Sequence, residues 1–495
     1  MKDKFSKILH KSPLTSIILT SIVFFLTLLP LPKITIGCIA LYFLTCGSQL
    51  FLGIYEKLDF NIIKMEKKKR KTSKAIINWG DYAQLGLILT PVAYLLAPII
   101  GWIYFILCAA PFSKSLLILT TRLLSRKNIH KATLSELECY RPEVAVYVTG
   151  MREVAYQINQ WLPVLERMNV KIMIIAREGS IFDDMPDTSI PVFTAKDQRE
   201  LEILLGECAS LKTVLYPANT MKNVQALRHS HLNHYFINHG ESDKAVNQSK
   251  FMMAYDKLLL AGPLSEKRLR NAGLPLRNDQ VEFVGRPQAE LLLDTANSTP
   301  EIKTVLYAPT WEGYVKNVDY SSIGPLGYEF CKQLLESGRY TFLFKPHPYT
   351  GKVSGKKTRD LDKLKALCER HGAQICSDDA SLHELMNQSD ILICDISSVL
   401  NEYLVTKKPI LLCKTSRAEN GSFLEEFPSS RAATVIETGQ DVTRIIAGIE
   451  NRDEQREERA RIRRASLGEF TEGALARFAQ VLDDSVANKA SGEEG

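Results

Sequence analysis

The long apolar runs of this chain are confined to its first quarter. Two uncharged runs, Leu14–Leu31 and Ile34–Tyr55, follow one another closely and predict a helical hairpin in a bilayer. A third stretch, Leu85–Thr121, carries Lys114 as its only charge. It is too long for one crossing, so it predicts a second hairpin that is broken near a proline. We therefore expect a membrane segment over residues 1–126 with about four transmembrane helices.

Basic residues flank these runs at three places. One cluster precedes the first run, one fills the loop Lys64–Lys74, and one follows the third stretch. If all three clusters face the cytoplasm, each intervening segment crosses an even number of times. This predicts a multi-pass protein of the cell (inner, cytoplasmic) membrane whose C-terminal region is cytoplasmic. Two alternatives remain: a third stretch that crosses only once, giving three spans, and a first run that is a cleaved signal peptide.

From about Glu143 onward, short β-branched runs alternate with helical stretches. This alternation predicts βαβ units and parallel sheets, and the polar stretch Thr295–Pro300 separates two such series. We expect an α/β, GT-B-like fold: two doubly wound, Rossmann-like domains facing a cleft, residues 140–295 and 300–450, before a C-terminal helix and disordered tail, 451–495. The predicted strands are Glu143–Tyr147, Val170–Ala176, Thr213–Tyr216, Tyr235–Asn238, Lys257–Leu260, Thr304–Tyr307, Thr341–Lys345, Ala373–Cys376, Ile391–Cys394 and Ile410–Leu412; the predicted helices include Val154–Arg167, Leu361–Glu369 and Leu382–Met386.

Composition narrows the class of protein. The 495 residues are 24% charged and 45% hydrophobic, which excludes a largely disordered or fibrous chain. A net charge of +6 is too small over this length to indicate nucleic acid as a partner. The 10 cysteines show neither C-x-x-C nor metal-ligand spacing, and no DxD-like acidic pair precedes a predicted loop. We expect neither a metal nor a cofactor.

Four polar clusters come directly after predicted strands. In parallel α/β sheets ligands bind at these strand ends, so the clusters are candidates for one cleft. Each also has a plain structural explanation, such as a surface histidine, a tryptophan packed under a loop, or an N-cap serine. The candidate side chains are, in chain order, His239, Gly240 and Lys244; Thr310 and Trp311; Lys345 and His347; and Asp395, Ser397, Ser398 and Glu402.

The order of these motifs resembles the CDP-glycerol glycerophosphotransferase family, membrane-associated enzymes that build teichoic-acid-like poly(alditol phosphate). The chain reads His-Gly, Ala-Pro-Thr-Trp, Lys-Pro-His-Pro and then Ser-Asp-x-x-x-x-Asp-x-Ser-Ser. The resemblance runs from about Tyr147 to about Arg477 and leaves out the apolar runs. It also includes Tyr156-Gln157, Trp161-Leu162-Pro163, Gly285-Arg286-Pro287 and Gly473.

The resemblance implies a GT-B fold and a transfer reaction. An acceptor hydroxyl would attack the β-phosphorus of a CDP-alditol, with glycerol phosphate as the first expectation, and CMP would leave. By position, His239 would be the general base, His347 the histidine on the pyrophosphate side, and Glu402 a partner of the ribose hydroxyls. The resemblance further implies substrate-binding roles for Gly240, Lys244, Arg286, Thr310, Trp311, Lys345, Asp395, Ser397 and Ser398.

The partners implied are a CDP-alditol donor, a lipid-linked or polymeric glycan acceptor and membrane lipids. One departure concerns the acceptor side: Glu241, Ser242, Asp243 and Lys244 follow His-Gly where the family often has Thr-Pro. A GT-B glycosyltransferase that uses a nucleotide sugar stays open as an alternative, as does a non-catalytic membrane component of a polysaccharide export complex. The sequence leaves open the alditol, the acceptor, the number of units transferred and the oligomeric state.

Overall fold

The computed structural model describes most of the chain after residue 125. The predicted membrane spans lie outside the described residues, apart from residues 103, 117 and 121 of the third stretch, and so do Lys244 and the last four residues of the predicted tail. Among the residues described, no helix has both the length and the apolar character needed to cross a bilayer. The described residues are 103, 117, 121, 126–150, 154–195, 197–243, 249–292, 301–313, 319–377, 380–415 and 420–491.

The described residues form two parallel sheets, which confirms the two-sheet prediction. The first has seven strands in the order β3-β2-β1-β4-β5-β6-β7, and the second has six in the order β10-β9-β8-β11-β12-β13. The strands are β1 Val144–Val148, β2 Ile172–Ala176, β3 Val192–Thr194, β4 Thr213–Tyr216, β5 Asn233–Phe236, β6 Lys257–Leu260, β7 Val281–Phe283, β8 Thr304–Ala308, β9 Thr341–Phe344, β10 Gln374–Ile375, β11 Ile391–Cys394, β12 Ile410–Cys413 and β13 Thr434–Ile436.

Helices of varied length connect the strands. The α-helices are Arg126–Tyr140, Tyr156–Asn159, Leu162–Leu165, Gly179–Asp184, Gln198–Leu205, Val224–Leu227, Pro263–Asn271, Pro287–Leu292, Pro325–Ser337, Gly355–Arg370, Leu382–Gln388, Ser398–Tyr403, Asn420–Glu426, Val442–Asn451, Arg456–Leu467 and Ala474–Ser491.

The residues group into two compact units. The smaller comprises Met1–Arg141, Ile175–Asp183 and Pro191–Ala209, and the larger comprises Pro142–Ile174, Asp184–Ile190 and Ser210–Gly495. Within the smaller unit, Asp197 caps the helix Gln198–Leu205 by a reciprocal capping box with Glu200. All contacts described in the following subsections lie within the larger unit.

The strands of the second sheet are apolar on both faces because both faces are covered by helices. Val305, Tyr307 and Ile393 belong to one buried cluster. Their neighbours Leu306 and Leu392 belong to a second cluster on the other face. Parallel strands buried on both sides are read in the sequence as continuous apolar runs.

The clearest differences from the sequence prediction concern one helix and three strands. The single helix predicted for Val154–Arg167 is wrong: Trp161 separates two short helices, and Pro163 lies in the first turn of the second, where its missing N–H costs nothing. Strands β3, β7 and β13 were not predicted. Each has three residues, and β7 and β13 are mostly half-buried, so their apolar signal is weak.

Candidate active site

The turn after β5 holds His239. Asn238 has a φ of 52°, a left-handed conformation that asparagine adopts more readily than most residues. Its side chain stabilises the same turn, since Oδ1 accepts from the His239 N–H at 2.9 Å and Nδ2 donates to the Gly240 carbonyl at 2.9 Å. The buried Trp161 indole donates to the Asn238 carbonyl at 2.7 Å. These contacts fix the backbone on which His239 is carried.

The neighbours of the His239 ring determine where its proton lies. Nδ1 is 2.9 Å from the Pro217 carbonyl oxygen. Because a carbonyl can only accept, Nδ1 carries the hydrogen and Nε2 has the lone pair. Burial lowers the pKa of His239; the Pro217 hydrogen bond opposes this shift, and the nearby Arg286 charge adds to it. The ring is therefore neutral at neutral pH and can accept a proton at Nε2.

His347 has the opposite arrangement. The Tyr349 backbone N–H donates to Nδ1 of His347 at 3.1 Å. Since that lone pair is engaged, the neutral ring carries its hydrogen on Nε2 and can donate a hydrogen bond there. Trp311 stacks on the same ring, with centroids 6.2 Å apart and planes at 26°.

Tyr156 brings the two histidines into one neighbourhood. Its ring centroid lies 5.6 Å from that of His239 and 6.5 Å from that of His347, and it is nearly perpendicular to both. His239 follows a strand of the first sheet and His347 follows a strand of the second. Tyr156 therefore links the ends of strands that belong to different sheets.

The helix that begins at Ser398 lies against the His239 turn. The N-cap explanation for Ser397 is not what the structure shows: its side chain makes no capping hydrogen bond, and its buried Oγ has no partner among the described residues. A Cβ added at Gly240 would come within 2.8 Å of the Ser398 Cβ. Only glycine at position 240 allows this approach.

A buried ionic chain lies next to the histidine turn. Arg286 Nη2 is 2.8 Å from Glu402 Oε1, and His383 Nε2 is 3.0 Å from Glu402 Oε2. Arg286 Nη2 also donates to the His239 carbonyl at 3.1 Å. Burial by itself raises the pKa of Glu402, but the Arg286 charge and the His383 hydrogen bond outweigh it and hold that pKa below its ordinary value. Both carboxylate oxygens bind protein groups here, so a ribose contact by Glu402 stays a prediction.

The acidic residues after His-Gly join the two sheets. Asp243 accepts from Ser429 N at 2.8 Å and from Ser429 Oγ at 3.1 Å, and it pairs with Arg268. Glu241 pairs with Arg268 at 3.0 Å, and its backbone carbonyl accepts from Asn401 at 3.2 Å. Both carboxylates are buried. The departure from the family pattern at these positions therefore forms an internal contact between the two sheets.

Three other predicted site residues lie deeper. Asp395 is fully buried, and its Oδ2 accepts from the backbone N–H of Thr310 at 2.8 Å and of Ser322 at 3.1 Å. Lys345 is also buried and donates to the Ser377 carbonyl at 2.5 Å. These contacts connect the ends of neighbouring strands of the second sheet, so they brace the loops that carry the half-buried Trp311 and His347.

The loop after His347 is anchored by Glu312, which follows Trp311 directly. Its carboxylate accepts from the backbone N–H groups of Gly351, Val353 and Ser354 at 3.0 to 3.2 Å. Burial raises the pKa of Glu312, but these hydrogen bonds outweigh it and lower the pKa. The Ala-Pro-Thr-Trp motif thereby positions the Lys-Pro-His-Pro loop.

The sequence profile described as CDP-Glycerol:Poly(glycerophosphate) glycerophosphotransferase matches residues 187–479, more than half of the chain. The chain belongs to this family. Family membership confirms the resemblance that the motif order indicated. Among the described residues, no group of three His, Cys, Asp or Glu side chains is arranged to hold a metal ion.

Curated relatives of this family member match parts of it. A teichoic acid ribitol-phosphate primase of Bacillus spizizenii is 31% identical over 151 residues, which are 30% of this chain and 35% of the relative. The teichoic acid ribitol-phosphate polymerase TarK of Staphylococcus aureus is 26% identical over 149 residues, 28% of this chain and 27% of the relative. The matches thus span about a third or less of each relative's length.

A solved structure of the wall teichoic acid polymerase TagF is 15% identical, with a TM-score of 0.48, and the match covers 77% of this chain and 98% of that one. The complex of MnaA with UDP from S. aureus is 13% identical, with a TM-score of 0.46, and covers 70% and 97%.

Ring contacts connect His239, His347 and Trp311 through Tyr156, and Gly240 lies against Ser398, with Arg286 and Glu402 behind the His239 turn. Sequence reasoning did not identify His383, the buried partner of Glu402. A single histidine in the first turn of a short helix carries no signal of such a contact. Arg268 and Glu312 were also not recognised as positioning residues, because their partners lie 25 or more positions away along the chain.

Proposed function

We propose that this protein transfers an alditol phosphate from a CDP-alditol to an acceptor hydroxyl of a cell-surface polymer or lipid-linked glycan, releasing CMP. Glycerol phosphate is the first candidate for the transferred group. Membership of the glycerophosphotransferase family supports the donor class. The partial matches to ribitol-phosphate enzymes leave CDP-ribitol as the other donor to test.

One observation carries this proposal: the two histidines at the site have complementary proton positions. His239 has its lone pair on Nε2 because Nδ1 donates to Pro217. His347 has its hydrogen on Nε2 because Nδ1 accepts from Tyr349. A proton acceptor and a hydrogen-bond donor that both contact Tyr156 suit a reaction in which a hydroxyl is deprotonated while phosphate charge is stabilised.

In this mechanism, Nε2 of His239 takes the proton of the acceptor hydroxyl as its oxygen attacks the β-phosphorus. The bond from that phosphorus to the CMP oxygen breaks, and CMP leaves as the anion. The His347 Nε2–H and the Ser397 hydroxyl donate hydrogen bonds to the phosphate oxygens, since phosphoryl transfer depends chiefly on positioning and charge stabilisation. We propose that no cofactor takes part and that the CDP-alditol supplies the energy of transfer.

The direct test is a CMP-release assay with CDP-glycerol and CDP-ribitol over a panel of lipid-linked acceptors. Nucleotide sugars serve as the comparison, because a glycosyltransferase usually releases a nucleoside diphosphate. Acceptor-dependent CMP release supports the proposal. Release of a nucleoside diphosphate from a nucleotide sugar, with no CMP from either CDP-alditol, would overturn it.

The pH dependence of the transfer should report the base. Burial lowers the pKa of His239, and His239 must be unprotonated to accept the hydroxyl proton. We therefore expect kcat/KM to fall toward acid pH with a midpoint below about 6.5, the ordinary value for histidine. Initial rates of CMP release over a series of pH values measure this midpoint. A midpoint well above that value would contradict the assignment.

Replacement of Ser397 should separate donor binding from stability. The Ser397 hydroxyl is buried without a partner and does not cap its helix, so Ser397→Ala should leave the melting temperature unchanged or slightly higher. A lost hydrogen bond to a charged phosphate should weaken CDP affinity about tenfold. Calorimetric titration of CDP and a melting curve test both parts. The matched control is Ser389→Ala, whose hydroxyl is hydrogen-bonded within the core and whose loss should lower the melting temperature instead.

We also propose that the apolar first quarter anchors the protein in the cell membrane with the catalytic region on the cytoplasmic side. The three basic clusters and the cytoplasmic supply of nucleotide-activated donors support this orientation. A reporter that works only in the cytoplasm should be active when it is fused after Gly495. Activity of a reporter that functions only outside the membrane would show that the orientation is wrong.

A further inference from the structure

Tyr156 is the residue shared by the two candidate catalytic histidines. It is perpendicular to the His239 ring at 5.6 Å and to the His347 ring at 6.5 Å. It begins the helix Tyr156–Asn159 after β1, and 37% of its surface is exposed. A large ring that remains this accessible while touching both histidines borders the space in which the reacting atoms would meet.

Water is the competitor in any phosphoryl transfer to a hydroxyl. A water molecule that loses its proton to His239 Nε2 could attack the β-phosphorus in place of the acceptor, giving free alditol phosphate and CMP. An apolar ring beside both histidines reduces the room for such a water. The larger acceptor alcohol, by contrast, can pack its carbon atoms against the ring and bring its hydroxyl to the base.

We propose that Tyr156 is a specificity-determining residue that favours transfer to an alcohol over hydrolysis of the CDP-alditol. This inference rests on the proposed function and adds the control of the nucleophile to it. We assign the effect to the ring, because the contacts with both histidines are contacts between rings.

The test uses the full chain with CDP-glycerol that is labelled in the glycerol, first in water alone and then with free glycerol as the acceptor probe. Hydrolysis gives labelled glycerol phosphate, and transfer gives the labelled glycerol phosphodiester. Each reaction releases one CMP. The measured quantity is the ratio of hydrolysis to transfer, together with CDP affinity as a check that the donor site is intact.

We expect Tyr156→Ala to raise this ratio at least about tenfold while CDP affinity stays close to wild type. Tyr156→Phe should behave like wild type, because it keeps the ring. Tyr328→Ala is the matched control, since Tyr328 is also a half-exposed tyrosine at 38% but lies on the helix Pro325–Ser337. Should Tyr156→Ala fail to fold, Tyr156→Leu provides the same comparison with a smaller apolar side chain.

An unchanged ratio in Tyr156→Ala or Tyr156→Leu with CDP affinity retained would overturn the proposal. An equal rise in Tyr156→Phe would also overturn it, because the hydroxyl would then be responsible. If free glycerol is not accepted, the rate of CMP release in water alone is compared, with the same expected rise. Failure of the proposed function is seen separately, as the absence of CMP release by the wild type from any CDP-alditol with any acceptor.

Discussion

Replacing His239 with alanine should lower the rate of acceptor-dependent CMP release by about 10² to 10⁴, the usual contribution of a general base. CDP affinity should change little, because His239 acts on the acceptor side. The physical reason is that Nε2 of His239 carries the lone pair that accepts the proton, and alanine has no such atom. Initial rates with saturating CDP-alditol and acceptor, combined with CDP titration, measure both effects.

Two further variants sharpen this result. His239→Gln keeps a polar side chain but has no basic nitrogen, so it should be as inactive as the alanine variant. His371→Ala is the control, since His371 lies at the exposed C-terminal end of the helix Gly355–Arg370 and should keep full activity. A His239→Ala protein that retained most of its rate would remove the base assignment. Glu241 and Asp243 would be poor candidates for the general base in its place, because both are buried and paired with Arg268.

Replacing Arg286 with alanine should lower the free energy of unfolding by about 3 to 5 kcal/mol, because it leaves the Glu402 charge buried without its cation. Activity should fall as well, since Arg286 also donates to the carbonyl of His239. Urea unfolding measures the first effect and CMP release the second. The low pKa of Glu402 fixes the sign of the pH effect: the contribution of the pair is present at neutral pH and is lost as pH falls through that lowered pKa.

An exposed ion pair provides the comparison for Arg286. Arg270 and Glu266 pair at 2.7 Å along one helix, with 42% of the Arg270 side chain exposed. Arg270→Ala should therefore cost no more than about 0.5 kcal/mol. The double variant Arg286→Met, Glu402→Leu should recover part of the lost stability, because it removes both buried charges. Equal unfolding midpoints for Arg286→Ala and wild type would show that the Arg286–Glu402 pair does not stabilise the fold.

The sequence predicts this fold best where burial is complete. The bounds of Thr213–Tyr216, Lys257–Leu260 and Ile391–Cys394 agree with the structure, because strands covered on both faces leave an uninterrupted apolar run. The short strands Val281–Phe283 and Thr434–Ile436 lack such a run and were missed. The predicted residue roles at the site remain to be tested by the experiments above.

For the site, the sequence predicted which side chains follow the strands, but it did not predict their contacts. His239 and His347 could be identified because motif order carries information about function. Their proton positions could not, since those depend on the carbonyl of Pro217 and the N–H of Tyr349. The pairing of Asp243 with Ser429 joins positions 186 residues apart, and no local pattern encodes such a contact.

The contact of Gly240 with Ser398 and the bonds of Asp243 to Ser429 also bear on recombination within the family. A chimera that joins the first sheet of this protein to the second sheet of a relative would separate residues that fit each other only as pairs. A side chain larger than glycine at position 240, or a residue without a hydroxyl at position 429, would weaken the contact between the two sheets at the turn that carries the acceptor base. Exchange of donor specificity between relatives should therefore succeed with single loops more readily than with whole domains.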